Sequence, residues 1–217
     1  MNNILNELIA QTKSSKKKTD KQQKIAEAAI RLFAEKGYAN TSTSEIAKAA
    51  GVAEGTIFRH YKTKDNLLLS LILPFLKEAL PAMAEDVLQD VMSKETGSFE
   101  SFLRALIKNR IQFIKENREI FQVFVKELIY NDELKKELLP LLTENIVKRI
   151  GIVIDLYKER GELIDLPPGE IEQVLFTFFG GYFLSRFIII AIEPEDEELE
   201  MENLIRFAME GIKKRND

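Results

Sequence analysis

From Asp20 onward, apolar residues recur with the 3.6-residue period of an amphipathic helix. Ile25, Ala28, Ala29, Leu32 and Phe33 share one face, and Gly37 after Lys36 supplies a helix stop. Two short helices fit within residues 42–61. A longer one opens at residues 63–65 and runs past Pro74 and Pro81, where kinks or breaks are expected. Further helices fit residues 98–115, 117–130, 132–160, 168–192 and 195–214. The punctuation between them is Gly97, the Asn117 region, Asn131 with Asp132, Gly161 with Pro167, Pro168 and Gly169, and Pro194. No run alternates with period two for long enough to make a strand, and no internal repeat is present. The pattern predicts an all-α protein of about nine helices.

Ahead of these helices, residues 1–19 are polar and basic and end in KSSKKKT. Ile4, Leu5, Leu8 and Ile9 make a short apolar stripe, too short to hold a helix unaided, so this arm is expected to be mostly disordered. At the other end, residues 176–192 are apolar almost throughout. That is shorter than the ~20 residues of a membrane span. The stretch also contains Arg186 and the pair Gly180 and Gly181, which predicts a buried or interface helix with no membrane role.

Residues 41–67, TSTSEIAKAAGVAEGTIFRHYKTKDNL, carry the most specific pattern. Ser42 with Glu45 three residues later is a capping box, which starts a helix sharply. Ile46 and Ala47 supply its buried side, and a small side chain at Ala47 leaves room for a tight helix crossing. Gly51 supplies a left-handed turn residue, Val52 packs beneath the turn, and Ile57 anchors a second helix six residues on. This is helix-turn-helix spacing. The second helix presents Glu54, Thr56, Arg59 and His60 on its polar face. A helical hairpin with a coincidental glycine turn is the bland alternative.

Charge sharpens the picture once it is divided along the chain. The net −4 hides a basic head, in which residues 1–66 hold 12 Lys and Arg against 7 Asp and Glu. The remainder holds 19 against 28. A basic end on an acidic body is the asymmetry expected when one end meets phosphate. There is no cysteine and His60 is the only histidine, which removes disulfides, thiolate metal sites and His-based triads. No nucleophile elbow or phosphate-binding glycine loop is present, so neither an enzyme nor a cofactor or metal is expected. Without the apolar core of a secretory signal, the expected compartment is cytoplasmic.

The same residues resemble the TetR/AcrR family of transcription regulators. The resemblance runs through Phe33, Gly37 and Tyr38, Thr41 and Ser42, Ile46 and Ala47, and Ala50, Gly51 and Val52. It continues with Gly55, Thr56, Ile57 and Phe58, then His60 and Tyr61, Lys62, Thr63 and Lys64, and Leu67 and Leu68, about 50 residues in unbroken register. It implies a helix-turn-helix DNA-binding domain over residues 20–66, behind the arm at 1–19. A larger helical effector-binding and dimerisation domain follows over 67–217.

The resemblance implies contacts with double-stranded DNA from Ser42, Thr43, Glu54, Thr56, Phe58, Arg59, His60, Lys62 and Lys64. Ser42 and Thr43 lie at a helix start, where phosphate is favoured. Lys62 and Lys64 add phosphate charge contacts, and Arg59 matches the O6/N7 pair of guanine. Glu54 either accepts from cytosine N4 or caps its helix, with capping preferred. At Phe58, where the family commonly has tyrosine, the phenolic hydroxyl is lost and only apolar or stacking contact is left.

Beyond residue 66 lie twelve of the fourteen phenylalanines. Core packing accounts for such a set, and the resemblance adds a cavity for a small hydrophobic effector between residues 65 and 160. Its candidate lining is Phe102, Arg104, Asn109, Phe113, Gln122, Phe124, Lys126 and Tyr130. The resemblance also implies a homodimer through the last two long helices, with Phe176, Gly180, Gly181, Leu184 and Ile188 at the interface. The expected function is that of a repressor released from a palindromic operator by an apolar small molecule. The competing reading is a helical adaptor that keeps the helix-turn-helix fold without operator binding.

Overall fold

The computed structural model describes Ile4, Leu8 and residues 19–93, 97–167, 169–190 and 193–212. Among these the chain is helical with no strand. In order the helices are α1 (Asp20–Lys36), α2 (Thr43–Ala50), α3 (Glu54–Tyr61), α4 (Lys64–Ser93), α5 (Phe99–Glu116), α6 (Arg118–Tyr130), α7 (Asp132–Leu142), α8 (Lys148–Glu159), α9 (Glu170–Leu184) and α10 (Glu197–Ile212). A π-helical segment, Thr143–Val147, joins α7 to α8, and a second, Ser185–Ile189, extends α9. The first makes α7 and α8 one continuous rod and the second lengthens α9, which leaves nine rods among the described residues, as the periodicity predicts.

Two compact units divide the chain. The first takes residues 1–79 and 116–130, and so holds α1, α2, α3, the first half of α4, and α6. Thr19 and Gln22 form a capping box that starts α1. The apolar face of α1, Ile25, Ala29 and Phe33, packs with Ile46, Ile57, Leu67, Leu68 and Ile72 into a buried core. Each of the Ile, Leu and Phe side chains among them contributes roughly 1.5–3 kcal/mol by leaving water. Thus α6, remote in sequence, belongs to the same unit as the head. Ile4 and Leu8 correct the expectation for the arm. Both are helical and buried, and the Ile4 N–H donates to Asn117 Oδ1 at 2.8 Å. Tertiary contact supplies what eight residues of periodicity lack. The rest of the arm, residues 1–18 apart from these two, lies outside the described residues, including its expected disorder.

The expected breaks at Pro74 and Pro81 do not occur, because α4 is continuous through both. Each proline removes a single N–H from the ladder, and the turns on either side keep theirs. Residues Lys64–Gln89 are long and apolar enough, by length and composition alone, to cross a membrane. In the first unit, however, Leu67, Leu68, Ile72 and Phe75 of this helix are core residues.

The second unit takes residues 80–115 and 131–217. Its centre is an aromatic cluster in which Phe99 lies 5.8 Å from Phe102 and 5.4 Å from Tyr157, all three fully buried. Leu103, Ile107, Leu138, Ile154, Leu163 and Ile205 complete this core. Among the described residues of this unit, the buried polar side chains are Asn145 and Arg186, and each sits in one of the two π-helical segments. Helix α9 passes through Gly180 and Gly181, with open space where a Cβ would stand on either.

Candidate nucleic-acid interface

The head is built by caps before it is built by contacts. The Ser42 hydroxyl accepts from the Glu45 N–H, and the Glu45 carboxylate returns to the Ser42 N–H at 2.9 Å. Glu45 also pairs with Lys36 at 2.8 Å. That pair and the Ser42 bonds hold its carboxyl down to about 2. At the far end of α2, Gly51 takes the left-handed conformation at φ 66°, and the Val52 N–H closes onto the Ala47 carbonyl. Ala47 and Ile57 are buried at the crossing of α2 and α3, as the helix-turn-helix pattern requires.

The crossing presents the outer face of α3. Arg59 and His60 are exposed, Phe58 is 48 % exposed and Thr56 is half-buried. Among the described residues, no hydrogen bond or ion pair within the chain occupies the side chains of Thr56, Arg59 or Lys62. The sequence-predicted donors of α3 are therefore free on one surface. Phe58 contributes an exposed ring there in place of a phenol.

Three other predicted contacts are committed internally. Ser42 serves its own capping box, and Thr43 Oγ1 donates to Glu54 Oε1 at 2.7 Å. The Lys64 ammonium lies 2.8 Å from the Tyr38 carbonyl oxygen, 3.0 Å from that of Thr41 and 4.2 Å from the Tyr38 ring centroid. The turn between α1 and α2 leaves carbonyls that attract this cation, so Lys64 braces the head from inside. Glu54 does not cap α3, whose N-cap Ala53 has no side-chain bond. Lys62 carries a feature invisible in the sequence. It is the non-glycine residue with positive φ among the described residues, at φ 64°, ψ −46°, and the Thr63 N–H bonds the Tyr61 carbonyl across it at 2.8 Å. This is a strained three-residue γ-turn linking α3 to α4.

Behind the head, the Glu119 carboxylate of α6 accepts from the N–H groups of Tyr38 and Ala39. The Tyr38 hydroxyl bonds Asp65, and Asp65 pairs with Lys126 at 2.5 Å. Burial by itself would raise the Asp65 carboxyl, but the bonds from Lys126 and Tyr38 outweigh it and hold it low. Burial and the Asp65 carboxylate push the Tyr38 phenol well up. Sequence reasoning missed Tyr38 and Glu119 because their partners lie 27 to 81 residues away.

The predicted effector residues fall in both units. In the second, Phe102 belongs to the aromatic core, and Arg104 bridges Glu100 and Glu202. Asn109 Oδ1 accepts from Arg110, whose guanidinium lies 5.0 Å from the Phe113 ring centroid. The inward-facing arginine of α5 is thus Arg110, which burial pushes down to about 10. In the first unit, Gln122 and Phe124 are half-buried, Lys126 is paired with Asp65, and Tyr130 is 81 % exposed.

On α9, Phe176 and Gly181 are exposed, while Gly180, Leu184 and Ile188 are half-buried. Val174, Ile189, Ile190, Leu199 and Phe207 add exposed apolar surface, and Phe207 stacks on Phe178 with centroids 5.6 Å apart. The buried Arg186 is held by Tyr182, Glu197 and Glu200 beside a cavity of about 170 Å³.

Comparison with known proteins places this geometry. Residues 25–71 match the family described as bacterial regulatory proteins, tetR family. A fatty acid metabolism regulator protein of Bacillus subtilis (strain 168) is 39% identical over 80 residues, which are 37% of this chain and 41% of that protein. The HTH-type transcriptional regulator YerO of the same organism is 34% identical over 134 residues, 55% of this chain and 46% of YerO. The chain thus spans less than half the length of these curated relatives. The fold is similar to that of the transcriptional regulator FadR of Bacillus subtilis, solved in complex with stearoyl-CoA. That likeness has a TM-score of 0.58 and 24% identity, and it covers 87% of this chain and 98% of the other.

Proposed function

Because the chain belongs to the tetR family of bacterial regulatory proteins, we propose that it is a sequence-specific, homodimeric DNA-binding regulator that represses from a palindromic operator. The observation that carries this reading is the outer face of α3, where Arg59 and Thr56 stand free on a helix whose buried side is pinned by Ala47 and Ile57, with Lys62 free in the turn just past its end. Arg59 reads a guanine in the major groove, and Lys62 and the N-terminus of α2 meet phosphate. One reading helix per chain requires two chains for a strong site. The exposed apolar residues of α9 and α10, Val174, Phe176, Leu199 and Phe207 among them, supply the face for a two-fold contact.

The same reading includes an apolar small-molecule effector held by the second unit. Support comes from the phenylalanine-rich interior and from the relative solved with stearoyl-CoA. An effector releases DNA only to the extent that it prefers the DNA-incompetent arrangement. The test is an electrophoretic shift on DNA upstream of the protein's own gene, across salt and with long-chain acyl compounds added. A salt-dependent, sequence-selective shift that such a compound reverses is expected. Equal retention of all DNA at every salt would reject operator binding, and a shift insensitive to every stabilising ligand would reject induction.

A further inference from the structure

We propose that Glu54 is a specificity-determining residue that reads the exocyclic amine of cytosine, and that Thr43 is its positioning residue. The inference rests on the DNA-binding reading above and deepens it. Glu54 is the first residue of α3, and in a helix-turn-helix the N-terminal residues of the second helix face base edges. A carboxylate at a helix start ordinarily caps backbone N–H groups. This one does not: Ala53 at the N-cap has no side chain to cap the helix, and among the described residues no bond runs from the Glu54 carboxylate to a backbone N–H. Instead Oε1 accepts the Thr43 hydroxyl at 2.7 Å across the α2–α3 crossing, and no other hydrogen bond or ion pair holds the side chain among the described residues. Thr43 lies next to the Ser42 capping box, so its own position is set by the start of α2. The half-buried carboxylate is thus clamped by one oxygen, and the second is left as an acceptor. Gly55 beside it has open space where a Cβ would stand, which lets the backbone approach the groove closely.

An ionised carboxylate accepts and cannot donate, so it matches the cytosine N4 amine and finds no partner on guanine O6 or N7. It also repels phosphate, which penalises docking out of register. Glu54 therefore lowers affinity for wrong sequences while Arg59 raises it for right ones.

The test uses the full-length protein. Binding sites are selected from randomised DNA with the wild type, and affinities are then measured on the selected site with each base pair substituted in turn. The expected wild-type profile has a cytosine preference of roughly tenfold at one step of each half-site. Glu54→Ala flattens that step alone and binds random DNA a few-fold more tightly. Glu54→Gln moves the preference there toward adenine, whose N6/N7 pair suits an amide. Thr43→Val, which keeps the carboxylate but frees it, weakens discrimination at the same step, and Thr43→Ser restores it. Thermal melts confirm that each variant folds. If Glu54→Ala and Thr43→Val lower affinity equally on every sequence, the pair is only a structural tie and the proposal is overturned. If the wild type selects no motif at all, the DNA-reading premise itself fails, and this proposal falls with it.

Discussion

The carboxylate of Glu119 takes the backbone N–H of Tyr38 at 2.5 Å and that of Ala39 at 3.2 Å, across 80 residues of sequence. A Cβ on Gly37 would lie 3.3 Å from the same carboxylate, so the glycine that ends α1, at φ 82°, also makes room for it. The turn behind the reading head is therefore ordered by α6. Removing the acceptor strands the donor of buried Tyr38, at a cost of about 1–3 kcal/mol, while the exposed Ala39 N–H turns to water. Glu119→Ala is expected to lower Tm by several degrees, and Glu119→Gln, which keeps one acceptor oxygen, by less. Differential scanning calorimetry checks both.

Lys62 holds a left-handed backbone that glycine adopts without penalty. Lys62→Gly is expected to stabilise the fold by about 1 kcal/mol, or raise Tm by roughly 2–4 °C. The same change should weaken DNA binding and reduce the salt slope by about one per protomer. A drop in Tm would show that the γ-turn is not strained.

Acid stability should report the Lys36–Glu45 pair. The Glu45 carboxyl is depressed in the folded state to about 2, so its contribution is complete above its ordinary pKa and is lost as pH falls toward 2. Asp65 is depressed in the same direction. Glu45→Gln preserves the reach to the Ser42 N–H but not the charge, so its stability is expected to fall less steeply between pH 5 and about 2 than that of the wild type. Parallel urea titrations across that window check it.

Phe207→Ser combined with Phe176→Ser removes two large exposed rings from the α9–α10 surface. Light scattering is expected to show a monomer, and operator affinity is expected to collapse because half-sites are no longer bound together. A dimer unchanged in the variant would move the interface elsewhere.

The reading head was legible in the sequence because its signals are local. The capping box at Ser42 and Glu45, the left-handed turn at Gly51 and the buried Ile57 are all encoded within a few residues of one another. Periodicity likewise exposed the long helices. What it could not show depends on distant partners. Lys64 reads as a phosphate ligand in the sequence, which gives no sign that the Tyr38 and Thr41 carbonyls accept from its ammonium. Helix α6 reads as part of the second domain until Glu119 and Lys126 are found bonded in the head. Arg104 and Arg110 are equally plausible lining residues by pattern. Only folding shows Glu202 holding Arg104 at the surface while Arg110 turns inward.

The central claim is that α3 reads base sequence through Arg59, and competitive binding to a selected operator and to random DNA at matched salt tests it most directly. The wild type is expected to prefer its operator by at least about 10³. Arg59→Ala should lose about 1–3 kcal/mol on the operator and little on random DNA. Equal losses on both sequences, or no preference in the wild type, would contradict it.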